Sequence, residues 1–413
     1  MVQAAEIDEK PASIYELNWC LTPVPDVRLL AAAPHDVPQH SVLTGGFPCQ
    51  PFSKSGRQRG IAEERGTLFS NILAILEAKT PPVVMLENVR NIAGPRQKDA
   101  WAGVIGGLRQ AGYKVSDRPC VFSPHLLSPG EGGAAQVRER VYIMGVYVGA
   151  DRALEETDVA PVLEKRPQGG WDPENWSVKK HVLLPELKGE ARQKYVVEGD
   201  EEIWINTWNE LLARLGPECK MPGFPMWEQS WTYRSTSTDG MPSWKQSFVT
   251  RNRDFYLQHR GAIDAWRKNN PAIASFPVSR RKLEWQAQTG ERDLWKHLIQ
   301  LRPSGIRIKR ATYTPALVAM NQTPIYGPKH RRLTPLETAR LQGFDPETFS
   351  FNGQADSLSY KQMGNAVNVG TAAYVFKKFV VENAQEILET GDRGRAIVES
   401  VCPEQVPEVT SAA

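Results

Sequence analysis

Apolar and polar positions alternate along the chain in patterns that are typical of an α/β protein. Apolar residues three and four positions apart predict amphipathic helices over residues 12–18, 68–79, 101–111 and 201–215. Short apolar runs predict strands over residues 2–7, 42–44, 83–86, 115–121 and 141–146, with Pro119 interrupting the fourth. Because strands and helices follow one another in the first 150 residues, the pattern predicts an α/β fold with a doubly wound sheet.

The strand over residues 42–44 ends at two glycines, and the chain then forms a stiff corner. Pro48 and Pro51 bracket Cys49, and each proline restricts its own backbone and that of the residue before it. Arg57 lies among the polar and basic residues that follow, and nearby positive charge raises the thiolate fraction of a cysteine. These residues favour a reactive thiol, although a lone cysteine at a strand end is more often buried and inert.

A carboxylate and two arginines are the next candidates for chemistry. Glu87 directly follows the apolar run 83–86, and sites in open α/β sheets gather at the carboxyl ends of strands. Arg138 and Arg140 alternate in step with the strand that follows them, so both are expected to face one side. The alternatives are a helix N-cap or surface carboxylate for Glu87 and an edge-strand charge pair for the arginines.

Charge is uneven along the chain, although the net charge is only +3. Residues 151–230 hold 10 Lys+Arg against 16 Asp+Glu, whereas residues 231–312 hold 16 against 6. The basic segment is a candidate surface for a polyanion, and the alternative is an ordinary solvated face. Ten of the twelve tryptophans lie between residues 171 and 295, and most are predicted to form a core. Polar turns around Arg234 and at residues 251–253 are better candidates than the tryptophans for contact with a polyanion.

Five scattered cysteines, without paired spacing, indicate a reducing compartment and no metal site. No apolar run reaches membrane-spanning length, and the N-terminus lacks a signal-peptide pattern. A cytoplasmic protein that does not bind membranes is therefore predicted.

Five motifs, in order along the chain, resemble those of the C5-cytosine-specific DNA methyltransferase family, in particular the prokaryotic type II modification methylases. They are Gly45-Gly46-Phe47-Pro48-Cys49-Gln50, Leu86-Glu87-Asn88-Val89, Gln136-Val137-Arg138-Glu139-Arg140, Arg332-Leu333-Thr334-Pro335-Leu336-Glu337 and Gly364-Asn365-Ala366-Val367. The resemblance covers roughly residues 1–150 and 300–382. It implies a Rossmann-like methyltransferase sheet with a smaller, mostly irregular or β target-recognition domain. It also implies methyl transfer from S-adenosylmethionine to C5 of a flipped cytosine, as part of restriction–modification.

The resemblance assigns roles to individual residues. It implies a covalent adduct of Cys49 with the base, assisted by Glu87, Arg138 and Arg140. It implies cofactor contacts from Glu6, Ile7, Asp26, Val27, Pro48, Leu68, Asn365 and Val367. The candidate DNA contacts are Gln50, Ser53, Arg57, Arg234, Arg251 and Arg253. The loop over residues 50–66 is expected to close over the DNA during turnover.

The motifs divide the chain into four parts. Residues 1–150 are the predicted catalytic domain, residues 151–300 the target-recognition region, residues 301–388 a return segment with a C-terminal helix, and residues 389–413 a disordered tail.

One departure from the family lies at the start of the chain. The family's first strand and Gly-rich cofactor turn are expected upstream of the segment that ends at Glu6. Three explanations remain open: a misplaced start codon, a partner polypeptide that supplies the piece, or degeneration. The leading hypothesis is an active enzyme that works as a monomer on double-stranded DNA. The alternatives are an inactive or partner-dependent DNA-binding fragment and an RNA methyltransferase.

Overall fold

The computed structural model describes residues 1–47, 68–162, 170–185, 187–232, 240–319 and 322–407. Its helices α1 to α15 are Glu9–Trp19, Val27–Ala32, Leu68–Lys79, Lys98–Gln110, Ala150–Glu155, Val178–His181, Gly189–Gln193, Asp200–Leu215, Ser243–Gln258, Arg260–Asn269, Pro335–Leu341, Asp356–Asn365, Val369–Glu382, Ala384–Glu389 and Asp392–Val401. Its strands β1 to β13 are Val42–Gly46, Val83–Val89, Tyr113–Val115, Cys120–Phe122, Gln136–Val137, Arg140–Tyr147, Met226–Trp227, Lys282–Trp285, Leu298–Arg302, Gly305–Lys309, Thr314–Pro315, Ile325–Tyr326 and Arg331–Arg332.

The chain forms two compact units. Unit 1 comprises Met1–Asp172, Ala339–Gln362 and Ala366–Ala413, and unit 2 comprises Pro173–Thr338 and Met363–Asn365. The second unit therefore begins and ends later in the sequence than the predicted recognition region, residues 151–300.

Unit 1 is built around a five-stranded sheet in the order β1-β2-β6-β3, with β4 also paired to β6. β1 runs parallel to β2, and Val42 lies opposite Val83. β6 runs antiparallel to β2. β2 and β6 are almost continuous apolar runs, as expected for strands that are covered on both faces. Within the described part of the chain, β1 is an edge strand of this sheet.

Helices cover both faces of the unit 1 sheet. Val84 and Leu86 belong to an apolar cluster with buried residues of α3 and α4. Val83 and Met85 belong to a second cluster, with buried residues of α13, α14 and α15. Neighbouring residues of a strand point to opposite faces, so β2 contributes alternately to the two cores. This three-layer arrangement confirms the α/β fold class.

Two predictions about the ends of the chain were wrong. Residues 2–7 do not form a strand. Their one β-type pairing among the described residues is an isolated bridge between Ala5 and Val24. The predicted disordered tail contains α15, whose Ile397 and Val398 are buried in the cluster with α13. Apolar residues at positions 397, 398, 401 and 402 give this short segment one apolar helical face, which offsets its low overall apolar content.

Unit 2 contains a six-stranded sheet in the order β13-β12-β9-β10-β8-β7. Helices α8, α9 and α10, of 16, 16 and 10 residues, contribute to its core, so the unit contains more helix than a mostly irregular or β domain. Trp208 and Trp266 are fully buried in that core, and their ring centroids lie 5.6 Å apart. The prediction that most tryptophans of this region form a core is confirmed.

Candidate active site

β1 ends beside the last residues of β2, three residues before Cys49 in the sequence. Gly46, the last residue of β1, lies opposite Glu87 in the parallel pair. The next residue, Phe47, is buried, and its carbonyl oxygen accepts a hydrogen bond from Asn88 Nδ2 at 2.9 Å. The backbone is therefore fixed two residues before the predicted nucleophile. The sequence-predicted site residues Pro48, Cys49, Gln50, Ser53 and Arg57, and the loop over residues 50–66, lie outside the described residues.

Glu87 forms an ion pair with the first residue of β6. The Nε atom of Arg140 lies 2.8 Å from Glu87 Oε1, and the two side chains are only 17% and 16% exposed. Burial raises the pKa of Glu87 above its ordinary value, and the positive charges of Arg140 and Arg138 offset that rise in part. A raised pKa increases the protonated fraction near neutral pH, which is the form that a general acid requires.

Arg138 lies deeper than its neighbour. The residue is only 1% exposed, and its Nη2 atom donates a hydrogen bond to the carbonyl oxygen of Ala366 at 2.8 Å. Its backbone N–H donates to Ser123 Oγ at 2.8 Å. Burial, and then repulsion from Arg140, lowers the pKa of Arg138 to about 10. The guanidinium therefore keeps its charge at neutral pH, inside the protein.

The structure brings the predicted acid and both predicted arginines together. Arg140 pairs with Glu87 directly, and the positive charge of Arg138 also lowers the pKa of Glu87. The two arginines are not an edge-strand pair, because Arg138 lies between β5 and β6, and Arg140 is paired with β2 on one side and with β4 on the other. A carboxyl group with a raised pKa beside a fixed cation can protonate a heterocycle and stabilise negative charge on it.

Several predicted cofactor residues line one cleft of unit 1. The cleft has a volume of about 1040 Å³, and its lining includes the whole of β1. The predicted residues in its lining are Glu6, Ile7, Asp26, Val27 and Leu68. Small-molecule sites usually span roughly 300–1,000 Å³, so this cleft is at the upper end of that range or slightly above it.

The two predicted acidic residues of the cleft differ in their surroundings. Glu6 Oε1 accepts a hydrogen bond from the backbone N–H of Asp8 at 2.9 Å, which leaves its other oxygen for a ligand. Asp26 caps α2 by accepting from the backbone N–H of Arg28 at 2.9 Å, and it also accepts from Arg28 Nε at 2.7 Å. These hydrogen bonds from Arg28 hold the pKa of Asp26 below its ordinary value. Asp26 is thus committed to local partners, whereas Glu6 is more open to a ligand.

The last two predicted cofactor residues, Asn365 and Val367, are not among the residues that line this cleft. Asn365 is the exposed last residue of α12, and Val367 contacts the apolar cluster that includes α13. At the turn before α13, the backbone of Gly364 lies very close to the backbone of Val318. A Cβ atom on Gly364 would lie 2.4 Å from the carbonyl carbon of Val318.

The predicted DNA contacts Arg251 and Arg253 lie in α9, so the prediction of a polar turn there was wrong. Arg251 is exposed, and its guanidinium carbon lies 5.3 Å from the Phe248 ring and 5.4 Å from the Phe224 ring. Arg253 is half-buried. The buried positions 249, 252, 255 and 256 give α9 its helical period, but the buried residue at 252 is an asparagine, so the apolar pattern was incomplete in the sequence. The remaining predicted contact, Arg234, lies outside the described residues.

Sequence reasoning missed two residues that position the cluster. Asn88 is 3% exposed and ties β2 to Phe47, and Ser123 is 1% exposed and holds the backbone of Arg138. A polar side chain inside or beside an apolar strand was the available signal in both cases, because such a group requires a hydrogen-bond partner.

Two further features are absent from the parts of the chain that the structure describes. Groups of three or more His, Cys, Asp or Glu side chains suited to a metal ion are not found there. The helices in these ranges are all too short or too polar to cross a lipid bilayer.

Comparison with known proteins identifies the relatives of this chain. A family model described as C-5 cytosine-specific DNA methylase matches residues 1–380. The type II methyltransferase M.AluI of Cellulosimicrobium cellulans is 37% identical, over 99% of this chain and 93% of its own length. M.HaeII of Haemophilus aegyptius is 38% identical over 39% of this chain and 52% of its own. Among solved structures, the S. pombe Dnmt2 methyltransferase has 17% identity and a TM-score of 0.44, over 92% of this chain and 91% of that one.

These matches show that the chain is a methyltransferase. More particularly, the chain belongs to the C-5 cytosine-specific DNA methylase family. It is therefore a DNA (cytosine-5-)-methyltransferase, as the order of its motifs predicted.

Proposed function

We propose that this chain is a type II modification enzyme that methylates C5 of a flipped cytosine in double-stranded DNA through a covalent adduct with Cys49. The observation that carries the proposal is the ion pair of Glu87 and Arg140 at the strand end opposite Gly46, three residues before Cys49. M.AluI and M.HaeII bear the type II name, and their similarity supports a role in restriction–modification.

The chemistry must overcome the low nucleophilicity of cytosine C5. The base first leaves the duplex and enters a pocket. The Cys49 thiolate then forms an S–C6 bond, and the electron pair of the C5=C6 bond moves through the ring to N3. Glu87 donates its proton to N3, and Arg140 donates hydrogen bonds to O2, so the ring carries the added electron density as an enamine.

Buried Arg138 supports these two groups. Its fixed charge limits the rise in the pKa of Glu87 and thereby keeps the acid able to exchange its proton. S-adenosylmethionine, when bound, supplies the electrophilic methyl group that C5 attacks. Loss of the C5 proton to a base then restores the C5=C6 bond, and the Cys49 sulfur leaves as thiolate. N3 returns its proton to the Glu87 carboxylate, so the neutral product base and the acid are both regenerated.

The cleft along β1 is the proposed cofactor site. The free oxygen of Glu6 suits ribose hydroxyl groups, and Ile7, Val27 and Leu68 supply an apolar lining for the adenine ring. Asp26 would have to release Arg28 to contact the adenine amino group. Pro48, Asn365 and Val367 keep the roles that the resemblance implies, as part of the same proposal.

The experiment that tests this function measures transfer of labelled methyl groups from S-adenosylmethionine to two acceptors. Duplex DNA is expected to gain 5-methylcytosine, and transfer RNA is not. Methyl incorporation into transfer RNA alone would contradict the proposal in favour of an RNA methyltransferase.

The open edge of β1 supports a partner-dependent form of the same function. Within the described residues, β1 has a hydrogen-bonded neighbour on one side only, and all five of its residues line the cleft. Free strand edges in native proteins are usually paired or covered. A partner fragment that adds a strand and a Gly-rich turn here would complete both the sheet and the cofactor site.

This form is tested by titrating S-adenosylmethionine with and without an added peptide of about 25 residues built as a strand–loop–helix unit. The peptide is expected to raise cofactor affinity, and a scrambled peptide is not. Equal affinity in both titrations would show that the chain does not require the added strand.

A further inference from the structure

A second polar cleft lies wholly within unit 2, away from the residues assigned above. It has a volume of about 330 Å³, and its lining includes Glu284, Gln286, Gln288, Lys309 and Arg310. This volume is near the lower end of the roughly 300–1,000 Å³ range of ligand sites, and a single base or base edge is a suitable occupant. The cleft therefore has the dimensions of a recognition pocket.

Strand register places the cleft on one face of the unit 2 sheet. Met226, Leu283 and Ile306 enter the unit 2 core. Their strand neighbours alternate onto the opposite face, where Arg307 lies beside Glu284 in the parallel pair of β8 and β10. That side of the sheet is therefore polar and cationic. It belongs to residues 231–312, which contain 16 Lys+Arg and only 6 Asp+Glu.

Most of the charges on this face are already engaged. Glu284 Oε2 lies 3.1 Å from Arg302 Nη2 and 3.0 Å from Arg307 Nε. Arg310 lies 2.7 Å from Glu174. These pairs engage Glu284 and Arg310 of the cleft lining, so other side chains of the lining are left to contact a ligand.

Of the charged and amide side chains that line the cleft, Lys309 and Gln288 are the two outside these contacts and outside the hydrogen bond of Gln286 to Glu284. Among the described residues, Lys309 Nζ contacts the face of the Tyr313 ring, 5.1 Å from its centroid, and has no hydrogen-bond acceptor. Gln288 is exposed and has a φ of +51°, a left-handed conformation that is strained for a residue with a side chain. Such strain is often retained where a side chain must point to a ligand.

We propose that this cleft reads base edges of the DNA target, with Lys309 and Gln288 as specificity-determining residues. The inference rests on the proposed function, because it takes duplex DNA as the partner. In the major groove, lysine pairs with O6 and N7 of guanine, and glutamine pairs with N6 and N7 of adenine. Lys309 is therefore assigned to a G·C pair of the target site and Gln288 to an A·T pair.

The test is a binding selection, which does not depend on catalysis. The full chain and its variants each select from duplexes with a randomised central segment, and the enriched sequences are read. Lys309→Met keeps the aliphatic stem and removes the donors. Gln288→Gly removes the side chain and relieves the strain at φ +51°. Lys268→Met is the matched control, because its helix α10 packs on the core side of the sheet through Ile263 and Trp266.

The unaltered chain and Lys268→Met are expected to enrich the same short motif. Lys309→Met should lose preference at one G·C position and Gln288→Gly at one A·T position, each by about 5- to 150-fold. Lys309→Arg should retain the G·C preference, because it restores the donors. An unchanged motif in both variants, a uniform loss of affinity for all sequences, or no motif from the unaltered chain would each overturn the inference. Methyl transfer is measured on the same preparations, so a failure of the proposed enzyme function is seen separately.

Discussion

Two clusters in this protein contain the same three side chains, one glutamate and two arginines, on a β-sheet. In unit 1, Glu87 pairs with Arg140, while Arg138 is bonded to a backbone carbonyl. In unit 2, Glu284 accepts directly from both Arg302 and Arg307. The exposure of the two glutamates is almost equal, at 17% and 18%. Composition and burial therefore do not separate a reactive cluster from a structural one.

Position and pairing distinguish the two clusters. Glu87 lies toward the carboxyl end of a strand, opposite Gly46 of the strand that precedes Cys49, and it pairs with Arg140. Its carboxyl group can therefore exchange a proton with a ligand. The two guanidinium groups around Glu284 use the carboxylate to hold neighbouring strands together. The difference indicates that a cluster can act as an active site when it lies where the carboxyl ends of strands meet. Sites in open α/β sheets generally lie there.

The largest effect is expected from replacing the proposed nucleophile, Cys49. Cys49→Ser should reduce methyl transfer by about 10³-fold or more, because loss of a nucleophile removes the covalent route. DNA affinity, measured by fluorescence anisotropy, should remain close to that of the unaltered chain. Unchanged methyl incorporation by this variant would refute the covalent mechanism.

The second prediction compares the two glutamates directly. Glu87→Gln should lower kcat by about 10²–10⁴-fold, because the amide cannot protonate N3. Glu284→Gln should leave kcat nearly unchanged and lower the free energy of unfolding by about 1.5–3 kcal/mol, because two arginines lose a charged acceptor. Steady-state kinetics and urea unfolding of both variants separate the roles. Equal loss of kcat in the two variants would remove the distinction between the clusters.

The third prediction concerns Arg140 and the pKa of Glu87. Since the positive charge of Arg140 lowers that pKa, Arg140→Met should raise it further above the ordinary range. Protonation of Glu87 would then persist to higher pH, and any limb of the pH–rate profile due to Glu87 would move upward. Carboxyl ¹³C NMR titration, with Glu87→Gln to assign the signal, measures the shift. A fall in the pKa would contradict the described ion pair.

The smallest effect is expected from α9 in unit 2. Neutralising Arg251 by Arg251→Met should reduce the slope of log Kd against log salt by about 1, as expected for one lost phosphate contact. Arg253→Met should change the slope less, because that side chain is half-buried. Lys268→Met serves as the control. An unchanged slope in Arg251→Met would indicate that the phosphate contacts are made by other residues.

Local patterns predicted much of the fold. The helix predicted over residues 68–79 matches α3 at both ends. In the motif over residues 332–337, Thr334 and Glu337 form a capping box, in which Glu337 N–H donates to Thr334 Oγ1 and Thr334 N–H to Glu337 Oε2. Such signals are readable because the interacting groups lie within one turn of each other.

Contacts between residues that are far apart along the chain could not be predicted from the sequence. The hydrogen bond from Asn88 to Phe47 joins residues 41 positions apart, and the one from Arg138 to Ala366 joins residues 228 apart. The hydrogen bond from Arg28 to Asp26 was also not predicted. It competes with the expected cofactor contact, because both require the same carboxylate. Family motifs identified which residues matter, and only the structure described what holds them.

The most direct measurement of the central claim uses duplex DNA with 5-fluorocytosine in place of the target cytosine. The C5 proton that must leave before the sulfur departs is absent from this base, so the S–C6 adduct should accumulate when S-adenosylmethionine is present. Mass spectrometry of the digested complex is expected to find the modified base on the peptide that contains Cys49, and no such complex in Cys49→Ser. Methyl transfer to ordinary duplex DNA without any trapped adduct, or an adduct on another cysteine, would contradict the claim that Cys49 attacks the base.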